Sequence, residues 1–138
     1  MNMALKEAMK AYEEDEIPVG AVIVYQDQII ARGYNQSQRL KDSTAHAEMI
    51  AITSAQNKIG SKYLNGCELY VTLEPCMMCS GAIFLSKISK VVYGLDDKEK
   101  GFLRSSKEYT NKKLKIISNI QEIKSKELLD SFFFKLRS

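Results

Sequence analysis

A lone histidine, His46, and a Cys76-x-x-Cys79 pair thirty positions later restrict the folding of this chain more than any other feature. With one histidine and three cysteines in 138 residues, the fold must bring two distant segments to one point if these groups act together. One imidazole and two thiolates supply three ligands to a zinc ion and leave its fourth position open to water. That is a catalytic arrangement, whereas structural zinc is closed by four protein ligands. Cys67, nine residues before Cys76, would permit a closed His/Cys3 set on spacing alone. Glu48, two residues after His46, argues for the open set, because hydrolysis needs a general acid/base beside metal-bound water.

Hydrophobic periodicity supplies the elements that would carry these residues. Leu5, Ala8, Met9 and Tyr12 fall at i, i+3, i+4 and i+7, which predicts an amphipathic helix over 2–14. The acidic run 13–16 and Pro18 end it. Val19–Tyr25 and Ile29–Tyr34 read as a hairpin around Gln26-Asp27-Gln28. A polar loop, Asn35 to Thr44, leads to a helix from about Ala45 to Lys58, stopped at Gly60. Glu68–Leu73 is a third strand, and Pro75 suits the first turn of a helix running to Ser86. Lys90–Tyr93, a weaker Lys115–Ser118 strand and a helix over 121–136 complete the chain. Helices interleaved with strands predict a three-layer α/β/α domain over 1–138, with one mixed five-stranded sheet between the helices.

The length fits one domain that buries roughly 68–70% of its unfolded surface. Three cysteines with one Cys-x-x-Cys do not form a disulfide framework, and a reducing cytoplasm is the expected setting. Met1-Asn2-Met3-Ala4-Leu5-Lys6-Glu7 brings charge too early for a signal peptide, and no uncharged apolar run approaches the roughly 18 residues of a membrane span. Charge is uneven: residues 1–86 carry 7 Lys/Arg against 10 Asp/Glu, and residues 87–138 carry 13 against 7. A basic second half suits either a nucleic-acid face or a well-solvated lysine-rich surface.

On these elements His46 falls in the first turn of the second helix, and Cys76 and Cys79 share one face in the first turn of the third. Two helix starts aimed at one spot offer free N–H groups and positive dipole ends to thiolates and hydroxide. Taken singly, the histidine reads as a surface or core residue and the cysteine pair as a redox or structural-zinc motif. Together, each after an apolar strand and with Glu48, they specify a zinc-dependent hydrolytic site. Cys67 reads as a buried strand residue. Glu74 is either a second carboxylate at the site or a turn residue with local hydrogen bonds.

Pro18-Val19-Gly20-Ala21-Val22-Ile23-Val24, Thr44-Ala45-His46-Ala47-Glu48-Met49 and Tyr70-Val71-Thr72-Leu73-Glu74-Pro75-Cys76-Met77-Met78-Cys79-Ser80-Gly81-Ala82 resemble the cytidine/deoxycytidylate deaminase superfamily, with its H-x-E and P-C-x-x-C signature. The nearest resemblance is to bacterial tRNA-specific adenosine deaminases, and it extends through Val91-Val92-Tyr93-Gly94 to Phe132-Phe133. It implies one Zn²⁺ per subunit on His46, Cys76 and Cys79, with Glu48 shuttling protons during attack on C6 of adenine. It also implies that Asn35 bonds the base, that Ala47 and Cys76 N–H groups orient base or water, and that Asp97 lies near the target sugar. The implied substrate is the wobble adenosine of a tRNA anticodon stem-loop, deaminated to inosine by a homodimer. Lys98, Lys100, Arg104 and Lys107 are the candidate phosphate contacts. Phe102-Leu103-Arg104-Ser105-Ser106 and Ser131-Phe132-Phe133-Phe134 depart from the family pattern in stretches that contribute to tRNA contacts. Two other functions fit the same residues: deamination of a free base or nucleotide, such as guanine or deoxycytidylate, and a non-catalytic zinc-stabilised RNA-binding subunit. The latter has no use for Glu48.

Overall fold

A computed structural model describes residues 1–103 and 114–138. In chain order the elements are α1 (Asn2–Glu13), β1 (Gly20–Tyr25), β2 (Gln28–Tyr34), α2 (Ala47–Ile59), β3 (Glu68–Leu73), α3 (Met77–Ser86), β4 (Lys90–Leu95), β5 (Lys115–Ile117) and α4 (Glu122–Arg137). The strands form one mixed sheet in the order β2-β1-β3-β4-β5. β1 pairs antiparallel with β2 and β3, while β3, β4 and β5 run parallel. Helices α1 and α4 touch each other on one face, and α2 and α3 touch on the other. This is the three-layer arrangement expected from the sequence.

Strand alternation divides the core between the two faces. Ala21, Ile23, Ala31, Leu69, Val71, Val91 and Tyr93 belong to the cluster that also contains Ala47, Ala51 and Ile52 of α2 and Ile83 of α3. Residues of the opposite parity face the other helix pair. A Cβ on Gly20 would strike the Ala4 carbonyl and Ala8 amide of α1. That contact corrects the expected α1 face. Buried are Ala4, Glu7, Ala8 and Ala11, whereas Met9 is 43% exposed. Ala4 and Ala8 let the helix backbone lie directly on Gly20, and Tyr12 meets Phe132 of α4 edge to face.

Two helix starts also differ from expectation. α2 begins at Ala47 rather than Ala45, with His46 as its extended N-cap at φ −76°, ψ 157°. α3 begins at Met77, with Cys76 as its extended N-cap. His46 and Cys76 therefore precede the first turns of their helices, and of the three candidate ligands only Cys79 is helical. Gly60 ends α2 in the left-handed conformation, as its sequence position indicated.

Gly33 sets the distance between sheet and site. A Cβ there would lie 2.5 Å from the Ala47 carbonyl oxygen and 2.9 Å from the Ala51 amide nitrogen. Gly33→Ala must push the start of α2 away from β2. The expected outcome is a loss of about 1–3 kcal/mol or more in denaturant unfolding, the range for overpacking. Weaker zinc retention in a chelator titration should accompany it, because the displaced backbone carries His46.

Candidate active site

The sheet topology brings the candidate residues to one end. β2, β3 and β4 run in one direction and β1 in the other. The C-terminal ends of β2, β3 and β4 therefore lie together, where Asn35, Pro75–Cys76 and Asp96–Gly101 leave the sheet. Gly33 packed on Ala47 adds the start of α2 to this rim. Ligands of α/β proteins characteristically bind beyond the carboxyl ends of parallel strands.

His46, Cys76 and Cys79 converge there, with their ligand atoms all within 4.8 Å of one another. His46 Nδ1 lies 3.7 Å from Cys76 Sγ and 3.6 Å from Cys79 Sγ. Zinc bonds of about 2.3 Å to sulfur and about 2.0–2.1 Å to nitrogen, set at the tetrahedral angle, require N···S edges of about 3.6 Å. The three groups fit that ion, and His46 offers Nδ1. The donor set also fits chemically, since two thiolates and a neutral imidazole balance a dication. The His46 side chain makes no helix-capping bond that would compete with ligation. Cys67 is fully buried and outside the cluster, so the closed His/Cys3 set is not what the chain builds.

The groups of the cluster shift one another's protonation. The Cys79 thiol bonded to Cys76, aided by His46, holds Cys76 down to about 3. The same bond, reinforced by burial, pushes Cys79 up. Its bond to Cys76 raises His46, against the opposing effects of burial and of Lys100. Glu48 follows Ala47 in the first turn of α2 and is 4% exposed. Burial pushes its carboxyl up to about 7, with the Cys76 charge adding to the rise and His46 opposing it. A buried carboxyl beside three candidate ligand atoms, and not one of them, is placed to move protons.

The rim residues are held by their own bonds. Asn35 is buried; its Nδ2 donates to the Ile17 carbonyl (3.2 Å) and its Oδ1 accepts from Ser37 N–H (3.3 Å). Asp97 Oδ1 accepts from the N–H groups of Glu99 (3.1 Å) and Lys100 (3.0 Å). Glu74 is buried and its Oε1 accepts from Asp97 N–H at 3.1 Å, a partner 23 positions away in the chain and not the local one expected of a turn residue. Phe102 N–H donates to the Pro75 carbonyl (3.1 Å), so the 97–102 segment lies along the Pro75–Cys76 turn. Lys98 and Lys100 are exposed on this segment. Arg104 and Lys107 lie outside the described residues.

Sequence reasoning missed Glu16, treating it only as part of the acidic run after α1. It is fully buried, and its two carboxylate oxygens accept backbone N–H groups from Gln38 (2.9 Å) and Arg39 (2.7 Å). Its one sequence signal is its place directly before Ile17-Pro18 and β1.

Residues 1–95 match the family model for the cytidine and deoxycytidylate deaminase zinc-binding region. The chain belongs to the cytidine and deoxycytidylate deaminase family. Within it, a protein of Aquifex aeolicus named tRNA-specific adenosine deaminase is 46% identical, over 100% of this chain and 94% of that one. A Bacillus subtilis protein of the same name is 42% identical, over 99% of this chain and 88% of that one. A solved structure from a study of A-to-I editing by tRNA:A34 deaminases at the wobble position of transfer RNA superposes with a TM-score of 0.88 at 40% identity, covering 94% of this chain and 97% of that one. Membership in the deaminase family matches the donor set: the matched region includes His46, Glu48, Cys76 and Cys79. Among the described residues of this deaminase-family chain, no helix is long and apolar enough to cross a membrane.

Proposed function

We propose that this single-domain chain hydrolytically deaminates the wobble adenosine of a tRNA anticodon loop to inosine. The observation that carries this reading is the three-atom His46/Cys76/Cys79 cluster beside buried Glu48, in a chain whose full-length relatives are named tRNA-specific adenosine deaminases. His46 Nδ1 and the two sulfurs would hold one Zn²⁺ per subunit. When bound, the ion supplies a Lewis acid that brings the pKa of a water toward about 7.

Glu48 takes the two protons of the attacking water in turn. It then delivers protons to the ring nitrogen and to the departing amine as C6 changes its substituent, so water and adenosine leave as ammonia and inosine. Its burial excludes bulk water from that exchange. The Ala47 and Cys76 N–H groups lie at the helix starts and would orient base or water. Asn35 spends one Nδ2 hydrogen on Ile17, and the other would meet the base. Asp97 is bonded through Oδ1, and Oδ2 would face the ribose. Lys98 and Lys100 on the same segment would contact backbone phosphates, with Arg104 and Lys107 completing that set.

The reading extends to a cytoplasmic homodimer, for which Met77 and Leu85 of α3, exposed at 68% and 79%, supply apolar surface to bury. An anticodon-loop base is already unstacked, which lowers the cost of turning it into the pocket.

Product analysis on anticodon stem-loops, beside free adenosine, cytidine, guanine and deoxycytidylate, tests the reading. Inosine at the wobble position is expected. Efficient turnover of a free base or nucleotide with no inosine in any tRNA would leave the hydrolytic site standing and remove the tRNA. Affinity for the stem-loop should fall with salt at a log–log slope of about −0.7 to −0.9 per phosphate neutralised. Lys98→Gln or Lys100→Gln should weaken RNA binding and flatten that slope without changing zinc content.

A further inference from the structure

We propose that Glu16 is a positioning residue for substrate binding: a buried carboxylate that holds the Asn35–Thr44 loop against the active-site rim. The proposal rests on the reading of Asn35 as the residue that meets the base. Glu16 touches none of the groups assigned to the reaction. It lies at the end of the turn that follows α1, and both of its oxygens are used on the backbone of a loop more than twenty residues away.

The bonds around it form a closed frame. Asn35 N–H donates to the Val19 carbonyl (3.0 Å) and Asn35 Nδ2 to the Ile17 carbonyl (3.2 Å), so the residue is tied to the segment that follows Glu16. Gln36 N–H donates to the Ala45 carbonyl (3.0 Å), which joins the two mouths of the loop one residue before His46. Between those mouths, Gln38 and Arg39 turn their N–H groups onto Glu16. A carboxylate that accepts two convergent N–H groups fixes the loop in direction as well as in place, and charge-assisted bonds of this kind are short and strong. Neither glutamine nor a hydrophobic residue can do the same. Glutamine presents one acceptor and one NH₂, so one backbone N–H would face another donor. Four acids follow one another at Glu13, Glu14, Asp15 and Glu16, and only Glu16 is buried.

The test is a double-mutant cycle in the full-length, zinc-loaded protein with Glu16→Gln and Asn35→Ala, read as kcat and KM for inosine formation on an anticodon stem-loop. Glu16→Gln should keep its zinc and lose roughly 10–100-fold in kcat/KM, the scale of a misplaced binding group. In the Asn35→Ala background the same change should cost less than about twofold, because both act through one contact. Glu16→Asp, which keeps two acceptor oxygens, should recover part of the loss, and it replaces glutamine in the cycle if Glu16→Gln does not fold. Losses that multiply independently, or a Glu16→Gln enzyme with wild-type kcat/KM, would overturn the proposal. A second readout does not depend on the reaction. Amide exchange at Gln38 and Arg39 should be slow in the wild type and faster in Glu16→Gln, with α1 amides unchanged. If the wild type forms no inosine, the tRNA reading falls and this exchange alone decides the anchor: accelerated exchange supports it, and unchanged protection overturns it.

Discussion

Glu48→Ala should fold, hold zinc and bind the anticodon stem-loop, yet lose at least the roughly 10²–10⁴-fold that general acid/base catalysis contributes. The expectation of retained zinc follows from the cluster itself, whose three ligand atoms come from His46, Cys76 and Cys79. Retained folding follows because the side chain removed is a buried carboxyl whose ionisation burial opposes. Loss of turnover follows because deamination moves the protons of water to the ring nitrogen and the leaving amine, and among the described residues the other buried carboxyls are engaged elsewhere: Glu74 and Glu16 accept backbone N–H groups and Glu7 pairs with Lys10. Zinc content by atomic absorption, stem-loop affinity and single-turnover inosine formation separate the three claims. Near-wild-type single-turnover rates would eliminate Glu48 as the proton carrier, whatever happened to binding.

The contrast between Glu48 and Glu16 shows what was legible in the sequence. Glu48 stood out because it sits two residues from the only histidine, and the spacing H-x-E carries chemical meaning by itself. Glu16 is the last of four consecutive acids, and nothing in composition says which of them the fold buries. Its role comes from partners at Gln38 and Arg39, a pairing that tertiary structure alone creates. The same division runs through the elements. β3 was readable to the residue because an apolar run is bounded by polar residues before it and by Pro75 after it. The α1 face was not, because alanines and Gly20 make the contact and the periodicity of larger side chains points beside it. The starts of α2 and α3 were misplaced for a related reason. An N-cap residue keeps extended backbone, and His46 and Cys76 take those positions, outside the helices in which the sequence pattern placed them. The convergence of His46, Cys76 and Cys79 was legible through all of this, since they are the one histidine and the one Cys-x-x-Cys pair of the chain. Asn35, Asp97 and the lysines rested on resemblance, and the bonds of Asn35 and Asp97 to nearby backbone could not be seen before the fold.

Replacing Cys76 or Cys79 by alanine should abolish zinc retention and lower the melting temperature to that of chelator-treated wild type. The argument is thermodynamic. Binding to the folded state alone stabilises it by RT ln(1 + [L]/Kd), so an ion that loses one of three protein ligands releases that stabilisation. The scale is large, since structural zinc in small peptides supplies an apparent 10–16 kcal/mol or about that amount to folding. A site that keeps one position open holds its ion through fewer bonds and should contribute less, which the chelator comparison measures directly. Cys67→Ala is the internal control. Cys67 is buried like Cys79 but belongs to the hydrophobic core, so its loss should cost about 1 kcal/mol, as for an ordinary core truncation, with zinc and activity kept. The outcomes divide cleanly because all three substitutions remove the same atom from buried or half-buried positions. Equal melting temperatures for the three variants would mean that packing, not ligation, explains the loss. A Cys67→Ala protein purified without zinc would show instead that the ion has a fourth protein ligand. The open position on which hydrolysis depends would then be gone.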